Sequence, residues 1–245
     1  MIGRIAAARH QLRGSACRGL PWRLRRWPVC ASTEIELERW LRAGAQPPLA
    51  VLSGQQRFGH GQQGRPWQAP PGGVWISAAL PWPPQPHGTA ALGLAVAVGL
   101  ALQLEALGLK PRLKWPNDLL LDGAKVAGLL PRLRRRGERI RWAQVGLGLN
   151  GHNPVPAGAT SVARALGRHR LDTAVLAARV LLALEWAAAQ ALAPERVRRE
   201  AEARLLLPTL PVPFEGEWWQ AHGLGSDGSL ELALGPRRAQ LRRLF

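Results

Sequence analysis

The chain of 245 residues reads as an α+β protein. A mixed or antiparallel sheet flanked by helices is expected, followed by a small C-terminal β-barrel. Three observations predict this. Short apolar runs bounded by Gly and Pro alternate with long Ala/Leu stretches of helical length. Two neighbouring runs, Lys125 to Leu133 and Arg139 to Leu149, are close enough to pair as a hairpin. Beyond the boundary Leu207-Pro208-Thr209-Leu210-Pro211, the residues from Val212 to Phe245 are all short strand patterns and turns. That tail is too small to build a large core of its own, so a barrel docked on the main domain is expected.

Residues 1–27 are basic, and Ile2 to Leu12 is compatible with a short helix. The segment lacks a hydrophobic signal core and reads as a weakly ordered extension. Ser32 or Thr33 caps a helix running to about Ala43. Leu49 to Ser53 is a strand, a Gly-rich loop fills Gly54 to Gly73, and Val74 to Leu80 is the next strand. Pro81 to Pro86 turns the chain. Thr89 to Leu107 is a helix apolar on most faces and therefore buried. Arg112 to Trp115 and Leu119 to Leu121 are short strands around a Pro-Asn-Asp turn, and Asp122-Gly123 closes a hairpin. Arg134 to Glu138 forms the solvated tip of the longer hairpin. Leu171 to Leu192 is a helix, and Pro194 to Leu206 another, with Pro194 in its first turn. The domain reading is 1–27 extension, 28–207 main domain and 208–245 small barrel.

Of the 33 basic residues only three are lysines, Lys110, Lys114 and Lys125. Two of them, Lys114 and Lys125, sit within twelve residues of each other around the Asn-Asp pair of the segment Lys114-Trp115-Pro116-Asn117-Asp118. An ammonium kept in so Arg-biased a chain points to chemistry, because the two cations are not equivalent at a reacting centre. The net charge of +17 is spread along the chain and reads first as a solvated basic surface. Attraction to an acidic protein comes second and to nucleic acid third. No ribonucleoprotein aromatic motif or zinc finger occurs. Cys17 and Cys30 read as free thiols of a reducing, cytoplasmic compartment. The scattered histidines exclude a zinc site, and no run of apolar residues is long enough to span a membrane.

Two Gly-x-Gly-x-x-Gly matches, Gly59 to Gly64 and Gly146 to Gly151, each follow a strand. Each is followed by prolines rather than by the helix that a dinucleotide fingerprint requires. Both are decoys for that fold, and no Walker loop is present. The first loop still suits an anion, since successive backbone N–H groups form a nest. Arg65 adds charge there and Trp67 a face for stacking.

Taken together, these motifs resemble biotin protein ligases. The resemblance rests on Gln56 through Trp67, on Lys114 to Asp118, on Lys125-Val126-Ala127-Gly128, on Gly146 to Asn150 and on the early Ser32-Thr33. It implies a catalytic domain of class II synthetase type with an SH3-like C-terminal barrel. It also implies ATP and Mg²⁺ as cofactors, biotin as substrate, and the biotin carboxyl carrier domain of acetyl-CoA carboxylase as partner. By position, Ser32, Thr33 and Gln56 would bind the biotin ureido group, with Gly59, His60 and Gly128 also on the biotin side. Trp67, Asn117 and Asn150 would line the nucleotide with Gly61, Gln62 and Gly64. Arg65 would hold phosphate, Lys125 would reach both biotin carboxylate and α-phosphate, and Asp118 would meet the acceptor lysine.

The chain departs from the family pattern at three positions. His60 and Gln62 stand where arginines are common, which puts loop closure over the adenylate in question, and Glu34 stands where an Asn often follows Ser-Thr. The N-terminal part is too short for the winged-helix domain some members carry, so specific DNA binding is not expected. The rival readings are a lipoate ligase and, from another class, a basic nucleic-acid-binding module.

Overall fold

A computed structural model describes residues 1–13, 19–85 and 88–242. Cys17 and the last residue of the tail, Phe245, lie outside them. The elements in order are α1 (Ile2–Arg13), β1 (Arg23–Trp27), α2 (Thr33–Arg42), β2 (Leu49–Ser53), β3 (Val74–Leu80) and α3 (Leu92–Glu105). There follow β4 (Arg112–Lys114), β5 (Asp118–Leu121), β6 (Ala124–Arg136), β7 (Arg139–Leu149), α4 (Val162–Ala165), α5 (Thr173–Ala189) and α6 (Pro194–Glu202). The chain closes with β8 (Val212–Phe214), β9 (Glu217–Leu224), β10 (Leu230–Leu234) and β11 (Arg237–Leu241).

Seven strands form one sheet in the order β1-β2-β3-β7-β6-β5-β4. All pairs are antiparallel except β1–β2, which is parallel, so the sheet is mixed as predicted. Side chains alternate between its two faces. Ala50, Leu52, Val74, Ile76, Ala78, Leu129, Val145, Leu147 and Leu149 join α3 and α5 in the main core. Leu49, Val51 and Ala79 face the other way and pack on Leu37 and Trp40 of α2. The backbones of α3 and α5 approach so closely that a Cβ on Gly99 would lie 2.3 Å from the Ala183 carbonyl oxygen. α3 is shorter than the predicted Thr89 to Leu107: it starts at Leu92, and past Glu105 the chain tightens into a turn that ends at Gly108 with φ +82°.

The N-terminal reading is corrected. α1 is no loose extension: Ile5 is 1% exposed within the main core. Arg9 Nε lies 2.7 Å from Glu185 of α5, and the Trp22 indole donates to the same carboxylate at 2.9 Å. β1 is the edge strand of the sheet, with Arg25 stacked 4.1 Å above the Trp40 ring. An Arg-rich strand is stable there because one neighbour supplies its ladder and an indole covers a guanidinium. Ile5 and β1 therefore pack with residues beyond 28.

The small C-terminal sheet fits the expected SH3-like domain but does not close into a barrel. Among the described residues the tail is an open four-stranded antiparallel sheet, β11-β10-β9-β8, with an edge at each end. Strands of three to eight residues bury one face by docking, not by closing on themselves. Trp219, Ala221, Leu224, Leu230 and Leu232 merge with the main core. The hairpin tip also differs from expectation. β6 runs through Arg134, Arg135 and Arg136, and only Gly137 (φ +58°) and Glu138 turn.

No helix among the described residues is long and apolar enough to cross a membrane. Ile5→Ala should cost about 2–4 kcal/mol, as for other buried aliphatic truncations. The melting temperature should then fall by several degrees, whereas a loosely attached extension would leave it unchanged.

Candidate active site

The sheet face turned toward α2 carries a cavity of about 390 Å³. Its floor is made by alternation. In Gly146-Leu147-Gly148-Leu149 the leucines enter the core and the glycines face the cavity. Gly128 of β6 is the register partner of Gly148. A Cβ on Gly128 would lie 2.9 Å from the Trp67 indole, and one on Gly148 only 2.6 Å. The second glycine repeat, a decoy as a nucleotide fingerprint, is thus the bare strip on which Trp67 rests. Trp75 packs edge-on against Trp67, with centroids 6.3 Å apart.

Lys125 reaches this face through a β-bulge. The register of β5 and β6 shifts between Leu119 and Leu120, so both Val126 and Ala127 enter the core. The extra residue returns Lys125 to the face that holds Gly128. Asp118 is paired with Gly128, and Lys125 Nζ lies 2.6 Å from Asp118 Oδ1 and 5.0 Å from the centroid of the Trp67 ring. Lys114, the other motif lysine, is exposed on β4 and does not line the cavity. Asn117 is tied down by its amide, which donates to the Leu129 carbonyl at 2.7 Å. Asn150 Oδ1 accepts from the Asn153 amide at 3.1 Å.

At the other end Ser32 caps α2, its hydroxyl accepting from the Glu34 N–H. Gln56 Oε1 accepts from the Thr33 N–H at 2.7 Å and from the Thr33 hydroxyl at 3.0 Å. That contact fixes the amide orientation and turns Nε2 away from Thr33. The Thr33 hydroxyl also lies 2.8 Å from that of Ser77, the single polar residue of β3.

Between the two ends stands Glu34, which the sequence reading treated only as a departure from a pattern. Its Oε1 accepts from Arg132 at 2.6 Å and from Gln144 at 3.3 Å. Its Oε2 lies 2.9 Å from His60 Nε2. One turn further along α2, Glu38 pairs with Arg134. Four residues of helix rise about 6 Å and two of strand about 6.6 Å. Glu34 and Glu38 therefore stay in step with Arg132 and Arg134.

The cavity gathers Ser32, Thr33, Gln56, His60, Gly61, Gln62, Arg65, Trp67, Asn117, Asp118, Lys125, Gly128 and Asn150. Gly59 and Gly64 do not line it. Gly59 has the Trp67 backbone against it, where a Cβ would meet the Trp67 carbonyl at 2.7 Å, and Gly64 takes a positive φ of 70°. Besides Glu34, sequence reasoning missed Ser77, and it singled out the motif of Gly146 and Gly148 without giving either glycine a place in the site. A signal was present for the last three: a lone hydroxyl in an apolar strand, and glycines at period two. Cys30 is half-buried, and burial pushes its thiol up, with the Glu36 charge adding to the rise against a hydrogen bond with Ser53.

Among the described residues no group of three His, Cys, Asp or Glu side chains could hold a metal. The two carboxylates lining the cavity, Asp118 and Glu34, are each paired with a cation.

Residues 28–150 match the Biotin/lipoate A/B protein ligase family. Among curated proteins, the chain is 31% identical over 169 residues to the bifunctional ligase/repressor BirA of Bacillus subtilis. That match covers 64% of this chain and 51% of the relative. It is 38% identical over 125 residues to the biotin–[acetyl-CoA-carboxylase] ligase of Paracoccus denitrificans, covering 49% of this chain and 51% of the relative. The chain thus spans about half the length of these relatives. Among solved structures, the Aquifex aeolicus biotin protein ligase in complex with biotin and ATP superposes with a TM-score of 0.70. It is 22% identical, over 89% of this chain and 94% of that one, a likeness of fold.

Gly148→Ala should force the Trp67 indole off the strip and cost about 1–3 kcal/mol by overpacking, with an altered near-ultraviolet circular dichroism. Gly146→Ala is the control. Its Cβ would meet Leu130 at an ordinary 3.4 Å, and both melting temperature and spectrum should stay near those of the parent.

Proposed function

Because the chain belongs to the Biotin/lipoate A/B protein ligase family, we propose that it is an ATP-dependent biotin protein ligase. In the first half-reaction a carboxylate oxygen of biotin attacks the α-phosphorus of ATP. The bond to the β-phosphate oxygen breaks, giving biotinyl-AMP and pyrophosphate. In the second, the amine of a carrier-domain lysine attacks the biotinyl carbonyl. AMP leaves, and the amine proton passes to a base.

The observation that carries this reading is the order of chemistry along one cavity. Ser32, Thr33, Gln56 and Ser77 form a polar end suited to a cyclic urea, which needs both donors and acceptors. The glycine strip with Trp67 and Leu130 is a flat apolar middle. Lys125, Asp118 and Arg65 form a charged end where an acyl carboxylate and a phosphate would meet. A dithiolane ring has no hydrogen-bonding groups and would leave the polar end unmatched, which favours biotin over lipoate.

Lys125 does the electrostatic part. Carboxylate attack on phosphate concentrates negative charge on one centre, and a preplaced ammonium lowers that barrier. Asp118 holds the ammonium in position, 2.6 Å from Lys125 Nζ. Once Lys125 turns to the phosphate, the carboxylate is free to orient or deprotonate the incoming amine. Arg65, exposed at the mouth, is available for the outer phosphates. The described residues offer no metal cage, so Mg²⁺ would enter with the triphosphate, which is how this ion is commonly held. The carrier domain is the proposed macromolecular partner. The net charge of +17 would speed its encounter if it is acidic, more than it would tighten binding.

Avidin blotting of a purified carrier domain after incubation with the protein, biotin and MgATP tests the reading directly. A parallel incubation with lipoate and ATP should yield no lipoyl-AMP. Lys125→Ala and Lys125→Arg should both reduce pyrophosphate release by about 100-fold or more, since the bulkier fork spreads its charge. Near-normal release by either would remove Lys125 from the chemistry. Asp118→Asn should slow single-turnover transfer from pre-made biotinyl-AMP more than it slows adenylation. The reverse order would assign the carboxylate to the first step.

A further inference from the structure

Two departures from the family pattern, Glu34 and His60, are 26 positions apart in sequence. In the fold they face each other, with His60 Nε2 and Glu34 Oε2 2.9 Å apart. Each is awkward alone. A carboxylate in the wall of a cavity built for anions repels its ligands, and an imidazole replaces a permanent cation in a loop that lies beside phosphate. Together they form a pair. The two carboxylate oxygens divide the work. Oε1 is held by Arg132 of β6 and Gln144 of β7, both on the sheet. Oε2 is left for His60.

The glycine loop has few other holds. Its base is tied by the Phe58 N–H donating to the Ala31 carbonyl and the Trp67 N–H donating to the Gly59 carbonyl. Across its tip, residues 60–65, the remaining bonds are internal. The Gly61 N–H donates to the Arg65 carbonyl, the Arg65 N–H to the Gln62 carbonyl, and the Arg65 guanidinium to the Gln63 side chain. Among the described residues, His60 to Glu34 is the one hydrogen-bonding or ion-pair contact from the tip's side chains to another element. The charged groups around it are Arg132 and, one helical turn along, Arg134 with Glu38. The sheet thus holds Glu34, and Glu34 holds the loop.

We propose that Glu34 is a positioning residue: through His60 it tethers the glycine loop across the mouth of the cavity, and the tether retains the adenylate between the two half-reactions. The identity of what is retained rests on the proposed ligase function; the tether itself does not.

The test has two arms, each on the whole chain. In the first, hydrogen exchange of the amides of residues 58–67 is followed by mass spectrometry without ligand. Wild type is compared with Glu34→Gln, His60→Gln, the double variant and His60→Arg. Each single Gln variant should speed exchange at Gly61 and Trp67 by about fivefold, the upper range for a solvent-accessible ion pair. The double variant should add nothing further. His60→Arg, which keeps an N–H donor opposite Glu34, should exchange like wild type. In the second arm, release of pre-bound biotinyl-AMP should quicken by a similar factor in the same three Gln variants. Unchanged exchange in both single variants, or additive acceleration in the double, overturns the tether. A coupled loss of protection with unchanged release overturns the retention. If wild type forms no biotinyl-AMP at all, the ligase reading fails, and the exchange arm alone judges the tether.

Discussion

The structure depends on one constraint, the division of the sheet into two faces with opposite tasks. The β6–β7 hairpin shows it most clearly. Leu129, Val145, Leu147 and Leu149 bury their side chains against α3 and α5, while Gly128, Gly146 and Gly148 leave the other face bare. Hydrophobic burial on one side holds the strands rigid. Removing side chains on the other side makes room for Trp67 and a flat ligand. A one-residue slip in register would exchange the two faces, filling the cavity with leucines and opening holes in the core. Core stability and site shape are therefore set by the same pairing. The single bulge before Lys125 is the local exception that brings the ammonium to the bare face.

Charge is handled with similar economy. The cavity presents two carboxylates, and each is matched: Asp118 by Lys125, Glu34 by Arg132 and His60. Matching is costly to leave undone in a partly desolvated wall. The α2 carboxylates reach their partners because helix and strand advance at nearly equal distances per four and per two residues. The helix that supplies the polar end through Ser32 and Thr33 is the one that carries this ladder, so placing the ladder also places the polar end.

Much of this was legible in the amino-acid sequence, and the rest was hidden for identifiable reasons. Leu49–Ser53 and Val74–Leu80 were readable because both are bounded by turn residues and apolar on both faces. Lys114 to Asp118 and the lysine beyond it marked the charged end. β1 was not readable. Arg-Leu-Arg-Arg-Trp looks like a charge cluster until Trp40 is placed beside it. α1 exposes most of its surface and anchors through Ile5 and the Glu185 carboxylate, whose position no local pattern discloses. Glu34 was hidden because its partners, Arg132 and Gln144, lie 98 and 110 positions away.

The C-terminal sheet gives the same lesson at longer range. The Trp115 indole N–H, inside the Lys-Trp-Pro-Asn-Asp segment, donates to the Gly228 carbonyl at 2.9 Å, across 113 positions. Gly228 has φ +85°, and a Cβ there would lie 2.5 Å from that of Ala91 at the head of α3. Only glycine meets both demands. The turn before it is stiffened by Asp227, which accepts from the Ser229 N–H, the Ser229 hydroxyl and Arg242. Burial alone would push the Asp227 carboxyl up, but these donors outweigh it and hold the carboxyl below its ordinary range. The tail is thus a brace. One of its turns is pinned between α3 and Trp115, two residues before Asn117 and three before Asp118, so the charged end of the cavity is held from behind by the C-terminal sheet.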